Sequence, residues 1–207
     1  MNKRYLIALF VLILLSSIPA ASIAGSWNGW IYQNPYPTSN TLLAVKFITP
    51  KKGWVAGVSG TILHTEDGGD TWEAQESGTE QALSSISFVN EKAGWAVGEQ
   101  GVIIHSNDGG KSWVTQIKTE LFLLKVFFIN DQEGWAVGRD GMLHTTDRGK
   151  KWARLDIGTG IKRPISSIFF INPKTGWLLA GGEVYRTKDG GGSWDRSTLP
   201  RSDYPRF

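Results

Sequence analysis

Three histidines, His64, His105 and His144, each stand three residues before an aspartate, Asp67, Asp108 and Asp147, and Arg186 takes the same place before Asp189. Imidazole nitrogens at a repeated spacing invite a metal reading, since His is the commonest protein ligand for transition metals. Distance argues against it. Equivalent positions of a repeated unit fall on neighbouring sheets about 10 Å apart, whereas zinc ligands lie about 2 Å from the ion. The histidines are therefore expected to be structural or surface residues, with no metal site and no cofactor. The aspartates have a simpler chemistry: their side chains accept hydrogen bonds from backbone N–H groups one or two residues on, while glycines behind them take positive φ at little steric cost.

The elements that position these residues repeat every 39 to 42 residues. Gly-Trp pairs stand at Gly53-Trp54, Gly94-Trp95, Gly134-Trp135 and Gly176-Trp177. Each tryptophan is followed 12 or 13 residues later by Asp67, Asp108, Asp147 or Asp189, and each aspartate five residues later by Trp72, Trp113, Trp152 or Trp194. Self-similarity at about 40 residues with short apolar runs and turn signals predicts an all-β chain, a β-propeller of four-stranded antiparallel blades. In the second repeat Leu83 to Phe88 reads as the inner strand, Gly94 to Gly98 as the next, Val102 to Ser106 as the third and Trp113 to Gln116 as the outer one. The repeats run at about 42–75, 83–116, 123–155 and 165–197, within a propeller region of 25–199 followed by a tail, 200–207.

The turn pattern resembles the Asp-box, or bacterial neuraminidase repeat, Ser/Thr-x-Asp-x-Gly-x-Ser/Thr-Trp. It reads Thr65 to Trp72, Ser106 to Trp113 and Thr187 to Trp194; the third copy, Thr145 to Trp152, has Arg148 for the usual glycine and Lys151 for the hydroxyl residue, so a looser turn is expected there. The longer unit, a Phe, then Gly-Trp-Ala-Val-Gly, a short hairpin and the box, spans Phe47 to Trp72, Phe88 to Trp113, Phe128 to Trp152 and Phe170 to Trp194. It is similar to the photosystem II stability and assembly factor family over residues 27 to 199. That resemblance implies a lumenal or periplasmic seven-bladed propeller that recognises an assembling subunit through an arginine-rich surface. It implies the fold more strongly than the photosynthetic role, because an Asp-box marks fold rather than function.

Sialidases also use Asp-box propellers, so a carbohydrate-binding or glycoside-hydrolase propeller is the alternative. Such a site resembles three arginines around a carboxylate, a tyrosine activated by a glutamate and an aspartate acid. Arg139, Arg163 and Arg186 exist, but Tyr185 lies within a repeat strand and Tyr32 and Tyr36 lie near the N-terminus. The favoured reading is a non-catalytic protein-interaction or assembly factor. Function tends to sit on loops held by a rigid scaffold, and the links between blades vary most, notably Asp156 to Pro164. Arg139, Lys162 and Arg163 on that face form the candidate patch for an acidic segment of a membrane or envelope protein.

Residues 1–24 read as a signal peptide: Lys3 and Arg4, an apolar run from Tyr5 to Leu15, and small residues at Ser22 and Ala24. The run is shorter than the roughly 20 residues a span needs. Export to a periplasmic, lumenal or extracellular space follows, and no cysteine is present for disulfides, a thiolate metal site or a lipid anchor. Beyond the leader, 20 basic residues face 19 acidic ones, so the charge balance gives no reason to expect nucleic acid. Trp30 reads as an unpaired outer strand, 27–33, preceding the four repeats. Five outer strands with four inner sets suggest half of a seven-bladed ring. A longer gene, self-association through open ends, and a closed four-bladed ring with one strand left over all remain explanations.

Overall fold

The computed structural model describes residues 38–158, 160–161 and 164–197. The signal peptide, the 27–33 strand, Lys162, Arg163 and the 200–207 tail lie outside the described residues. The chain divides into units Met1–Asn34 and Pro35–Phe207, and every described residue belongs to the second.

Four four-stranded sheets follow one another along the chain, each with its strands in sequence order. Blade one holds β1 (Leu42–Phe47), β2 (Gly53–Gly57), β3 (Ile62–Thr65) and β4 (Glu73–Gln75). Blade two holds β5 (Leu83–Phe88), β6 (Gly94–Gly98), β7 (Val102–Ser106) and β8 (Val114–Lys118). Blade three holds β9 (Leu123–Phe128), β10 (Gly134–Gly138), β11 (Met142–Thr145) and β12 (Ala153–Leu155). Blade four holds β13 (Ile165–Phe170), β14 (Gly176–Ala180), β15 (Glu183–Thr187) and β16 (Asp195–Arg196). All pairings are antiparallel, and the register of each inner strand on the next shifts at the same repeat position.

The Phe and Gly-Trp signatures have a common cause. In each blade the inner-strand phenylalanine pairs across the ladder with the glycine before the tryptophan, Phe88 with Gly94 for example. Its ring lies so flat on that glycine that an added Cβ would stand 2.3 Å from Phe88 and 2.5 Å from Phe128 or Phe170. The other face of the ring receives the tryptophan of the preceding blade. Trp54 stacks on Phe88, Trp95 on Phe128 and Trp135 on Phe170, with centroids 3.6, 3.5 and 3.7 Å apart and planes within 9°. The box tryptophan of the same blade meets the phenylalanine edge-on, as Trp113 does Phe88 at 5.8 Å, an arrangement aromatic quadrupoles favour.

A hydrogen bond locks each stack. The indole N–H of Trp54 donates to Gly109 O at 3.0 Å, Trp95 to Arg148 O at 3.3 Å and Trp135 to Gly190 O at 3.2 Å, all in the Asp-box turn of the next blade. Three apolar clusters result, one between each pair of successive blades. Burying an indole with its N–H paired avoids the penalty of an unmet donor.

Packing runs from blade to blade: β1 on β5, β5 on β9 and β9 on β13. Among the described residues, no packing of comparable extent joins blade four to blade one. The four blades form an open arc. Val45 on β1 is 65% exposed whereas its repeat equivalents Ile86, Val126 and Ile168 are at most 4% exposed. On β14, Leu179 is 45% exposed whereas Ala56, Val97 and Val137 are fully buried. Val184, the ladder partner of Leu179, is half-buried on the same face, which Trp177 and Arg186 also share.

Candidate functional site

The carboxylates of Asp67, Asp108 and Asp189 are engaged at both oxygens by their own turns. Asp108 Oδ1 accepts from the Ser106 hydroxyl at 2.8 Å and Ser112 N at 2.9 Å, while Oδ2 accepts from the Ser112 hydroxyl at 2.6 Å. Asp67 and Asp189 repeat this with Thr65 and Thr71, and with Thr187 and Ser193. The hydroxyls of Thr71 and Ser193 hold Asp67 and Asp189 well below the usual carboxylate range. Burial pushes Asp108 up, but the hydroxyl and N–H of Ser112 outweigh it and the net shift is downward. A carboxylate held this way is a poor general acid or base at neutral pH.

The third box keeps the same turn with one bond fewer. Asp147 accepts from the Thr145 hydroxyl and Lys151 N, both at 2.9 Å, and Lys151 has no hydroxyl to supply the third bond. Arg148 adopts φ +65° where Gly68, Gly109 and Gly190 have φ between +79° and +86°. Its guanidinium is anchored on the Asp131 carboxylate and carbonyl, contacts that offset the strain of a side chain in the left-handed region.

Glutamines and histidines line the gaps between blades. Gln75 and Gln116, three residues after the box tryptophans, donate through Nε2 to Gly109 O at 3.1 Å and Arg148 O at 2.7 Å, the carbonyls that also receive the indoles. The histidines lie on the gap side of their blades, His64 on Trp54, His105 on Trp95 and His144 on Trp135, with centroids 4.8 to 4.9 Å apart. Burial lowers the pKa of His64 and His105, as expected for imidazoles whose charged form is poorly solvated. Among the described residues, no group of three side chains is arranged to hold a metal ion.

A tyrosine and a glutamate do meet. The Tyr185 hydroxyl donates to Glu183 Oε2 at 2.7 Å and Arg196 pairs with Glu183 Oε1 at 2.9 Å. Tyr185 is 4% exposed with its bond to Glu183 inside β15, and the Arg196 pair ties β15 to β16. Arg186 lies 5.4 Å over Trp177, and Arg139 lies 4.2 Å over Phe122.

Box turns and inner turns share one end of the blades, joined by bonds such as Gly109 N to Lys92 O at 3.0 Å. At the other end the short hairpins meet the links between blades, as in Arg139 N to Phe122 O at 3.0 Å. Arg139 is exposed there, while its sequence companions Lys162 and Arg163 lie outside the described residues. Lys125 stands nearby on β9, opposite Val137. Burial lowers its pKa, and the charge of Lys46, from β1 of blade one, adds to the shift. Its repeat equivalents are Ala44, Ser85 and Ser167, so a half-buried cation at this place is particular to blade three.

The family is decided by the length of the match. Over residues 24–123 and 78–198 the chain matches the family model described as photosynthesis system II assembly factor YCF48. The chain belongs to this family. Within the YCF48 family, the photosystem II assembly protein Ycf48 of Thermosynechococcus vestitus is 43% identical over 58 residues, 28% of this chain and 16% of that protein. A solved structure of YCF48 bound to D1 peptide has a TM-score of 0.64 and 25% identity, covering 80% of this chain and 56% of that one. An ancestral GH74 enzyme shares the fold with a TM-score of 0.65 and 15% identity, over 82% of this chain and 25% of that one. The chain thus spans less than two thirds of the length of these relatives.

Proposed function

We propose that this chain is an exported, non-catalytic propeller that holds a segment of a membrane protein during assembly, the segment being of the D1 type. The observation that carries this reading is the likeness to the structure of YCF48 bound to D1 peptide, over 80% of this chain. Arg139 and Lys125 at the link end of blade three, together with Lys162 and Arg163, are the residues assigned to the partner. Lys125 favours an acidic group there, because a half-buried ammonium gains more from a carboxylate than a fully hydrated one does. The structural duty of the box aspartates supports the non-catalytic part. Residues 1–24 serve as the leader that delivers the chain to the periplasm or lumen.

The test is binding of a D1-derived peptide to the purified chain, with Arg139→Glu and Lys125→Glu as variants. Binding should weaken with salt and fall about tenfold or more in each variant, with the melting curve of Arg139→Glu unchanged. Absence of binding, or binding indifferent to both charges, would overturn the assignment. Hydrolysis of a glycan by the purified chain would favour the carbohydrate reading instead.

A further inference from the structure

The three internal blade interfaces share one polarity. The tryptophan face of each blade, built on its second and third strands, covers the phenylalanine face of the next, built on its first strand and box turn. Among the described residues, each half occurs once without its complement at the ends of the arc. Blade one presents Phe47, Val45 and Leu42, which are 38%, 65% and 47% exposed. Their equivalents Phe88, Ile86 and Leu83 are 2%, 4% and 0% exposed under the face of blade one. Blade four presents Trp177, Leu179 and Arg186.

Charge marks the two ends as a pair. In the first internal interface, the Lys111 charge reaches His64 across the gap. The repeat equivalent of Lys111 on blade one is Asp70, and the equivalent of His64 on blade four is Arg186. Both are exposed. Superposing the internal interface on the two ends therefore sets Arg186 of one end opposite Asp70 of the other, an attractive contact. Arg186 in the meantime covers Trp177, its guanidinium keeping a large apolar ring hydrated.

We infer that the two end faces are the halves of one head-to-tail interface, and that a second copy of this chain occupies it, Trp177 of one copy stacking on Phe47 of the next. The indole N–H of Trp177 then meets the carbonyl of Gly68, the equivalent of Gly109, and Arg186 meets Asp70. Such an interface is heterologous: it closes into a ring if the rotation permits and otherwise extends. This inference stands apart from the D1-type reading, since it uses the blade faces and not the link end.

Sedimentation velocity of the full chain over a concentration series tests it. The wild type should form dimers or longer assemblies. Val45→Glu and Trp177→Glu should each be monomeric alone, yet form a dimer and nothing larger when mixed, because each retains one competent end. Arg186→Glu or Asp70→Lys alone should weaken association about tenfold or more, and the two together in one chain should restore it. A wild type monomeric throughout, association of Trp177→Glu alone, or a double variant no better than the single ones would each overturn the inference. All these positions are exposed or half-buried, and unchanged melting curves would show that the variants fold.

Discussion

The internal and terminal faces of this arc carry the same residue types in different surroundings. Trp95 is fully buried, stacked 3.5 Å from Phe128 and bonded to Arg148 O, whereas Trp177, at the same repeat position, is half-buried beneath Arg186. Phe88 lies between Gly94 and Trp54, and Phe47 lies on Gly53 with more than a third of its surface exposed. The repeat therefore writes each blade as two half-interfaces, and a neighbour converts them into core. A residue's contribution here is set by its blade's position in the arc as much as by its type.

The largest contrast is expected at the stacked tryptophans. Trp95→Ala should cost about 3 to 5 kcal/mol, the usual range for emptying a buried indole site. Trp177→Ala, measured on monomeric protein, should cost about 1 kcal/mol. Chemical denaturation of both variants checks this, and equal costs would break the comparison.

Glycine comes next. Gly94→Ala drives a Cβ into Phe88, whose other face is held by Trp54, and should cost about 1 to 3 kcal/mol by overpacking. Gly53→Ala drives the same methyl into Phe47, which is exposed and can turn away. A smaller cost is expected there, read in the same denaturation series.

The box hydroxyls should not follow the contrast, because the hydrogen bonds of these side chains lie within one blade. Ser106 and Thr187 are both buried, and each accepts a glycine N–H, from Gly110 at 2.7 Å and from Gly191 at 2.9 Å. Ser106→Ala and Thr187→Ala should each cost about 1 to 3 kcal/mol through the unmet donor. A cost confined to Ser106→Ala would mean that the turn depends on its neighbour after all.

The smallest effect is in pH. The pKa values of His64 and His105 are lowered in the fold, so the unfolded chain takes up their protons first. Stability is full above the unfolded value near 6.5 and falls as pH drops from there toward the folded values. His64→Gln and His105→Gln should therefore flatten the decline between about pH 7 and pH 5 in thermal melts.

The blades and turns were legible in the sequence because the Gly-Trp pairs and the boxes recur at a fixed period, and each has a local cause in turn chemistry or strand packing. The reason phenylalanine accompanies Gly-Trp was not legible, since the ring bridges a ladder partner and a tryptophan 33 to 35 residues earlier. Lys125 was missed for a related reason: its nearness to Lys46 depends on the curvature of the arc, and a single lysine in an apolar strand carries no spacing signal. Arg139 could be singled out from sequence because its hairpin lies beside the variable links, and its exposure at that end is what the fold adds. The third box was expected to be looser, yet Arg148 finds Asp131 in the adjacent inner turn and keeps the turn closed, a contact that turn chemistry alone does not reveal.

Hydrogen–deuterium exchange of the full chain, followed strand by strand at several concentrations, bears most directly on the central claim that the arc is open. The account predicts slow exchange in β6 and β10 at every concentration, and faster exchange in β1 and β14 in dilute solution that slows as the chain is concentrated. Equal protection of β1, β6, β10 and β14 in dilute monomer would contradict it, because the end faces would then be covered within a single chain.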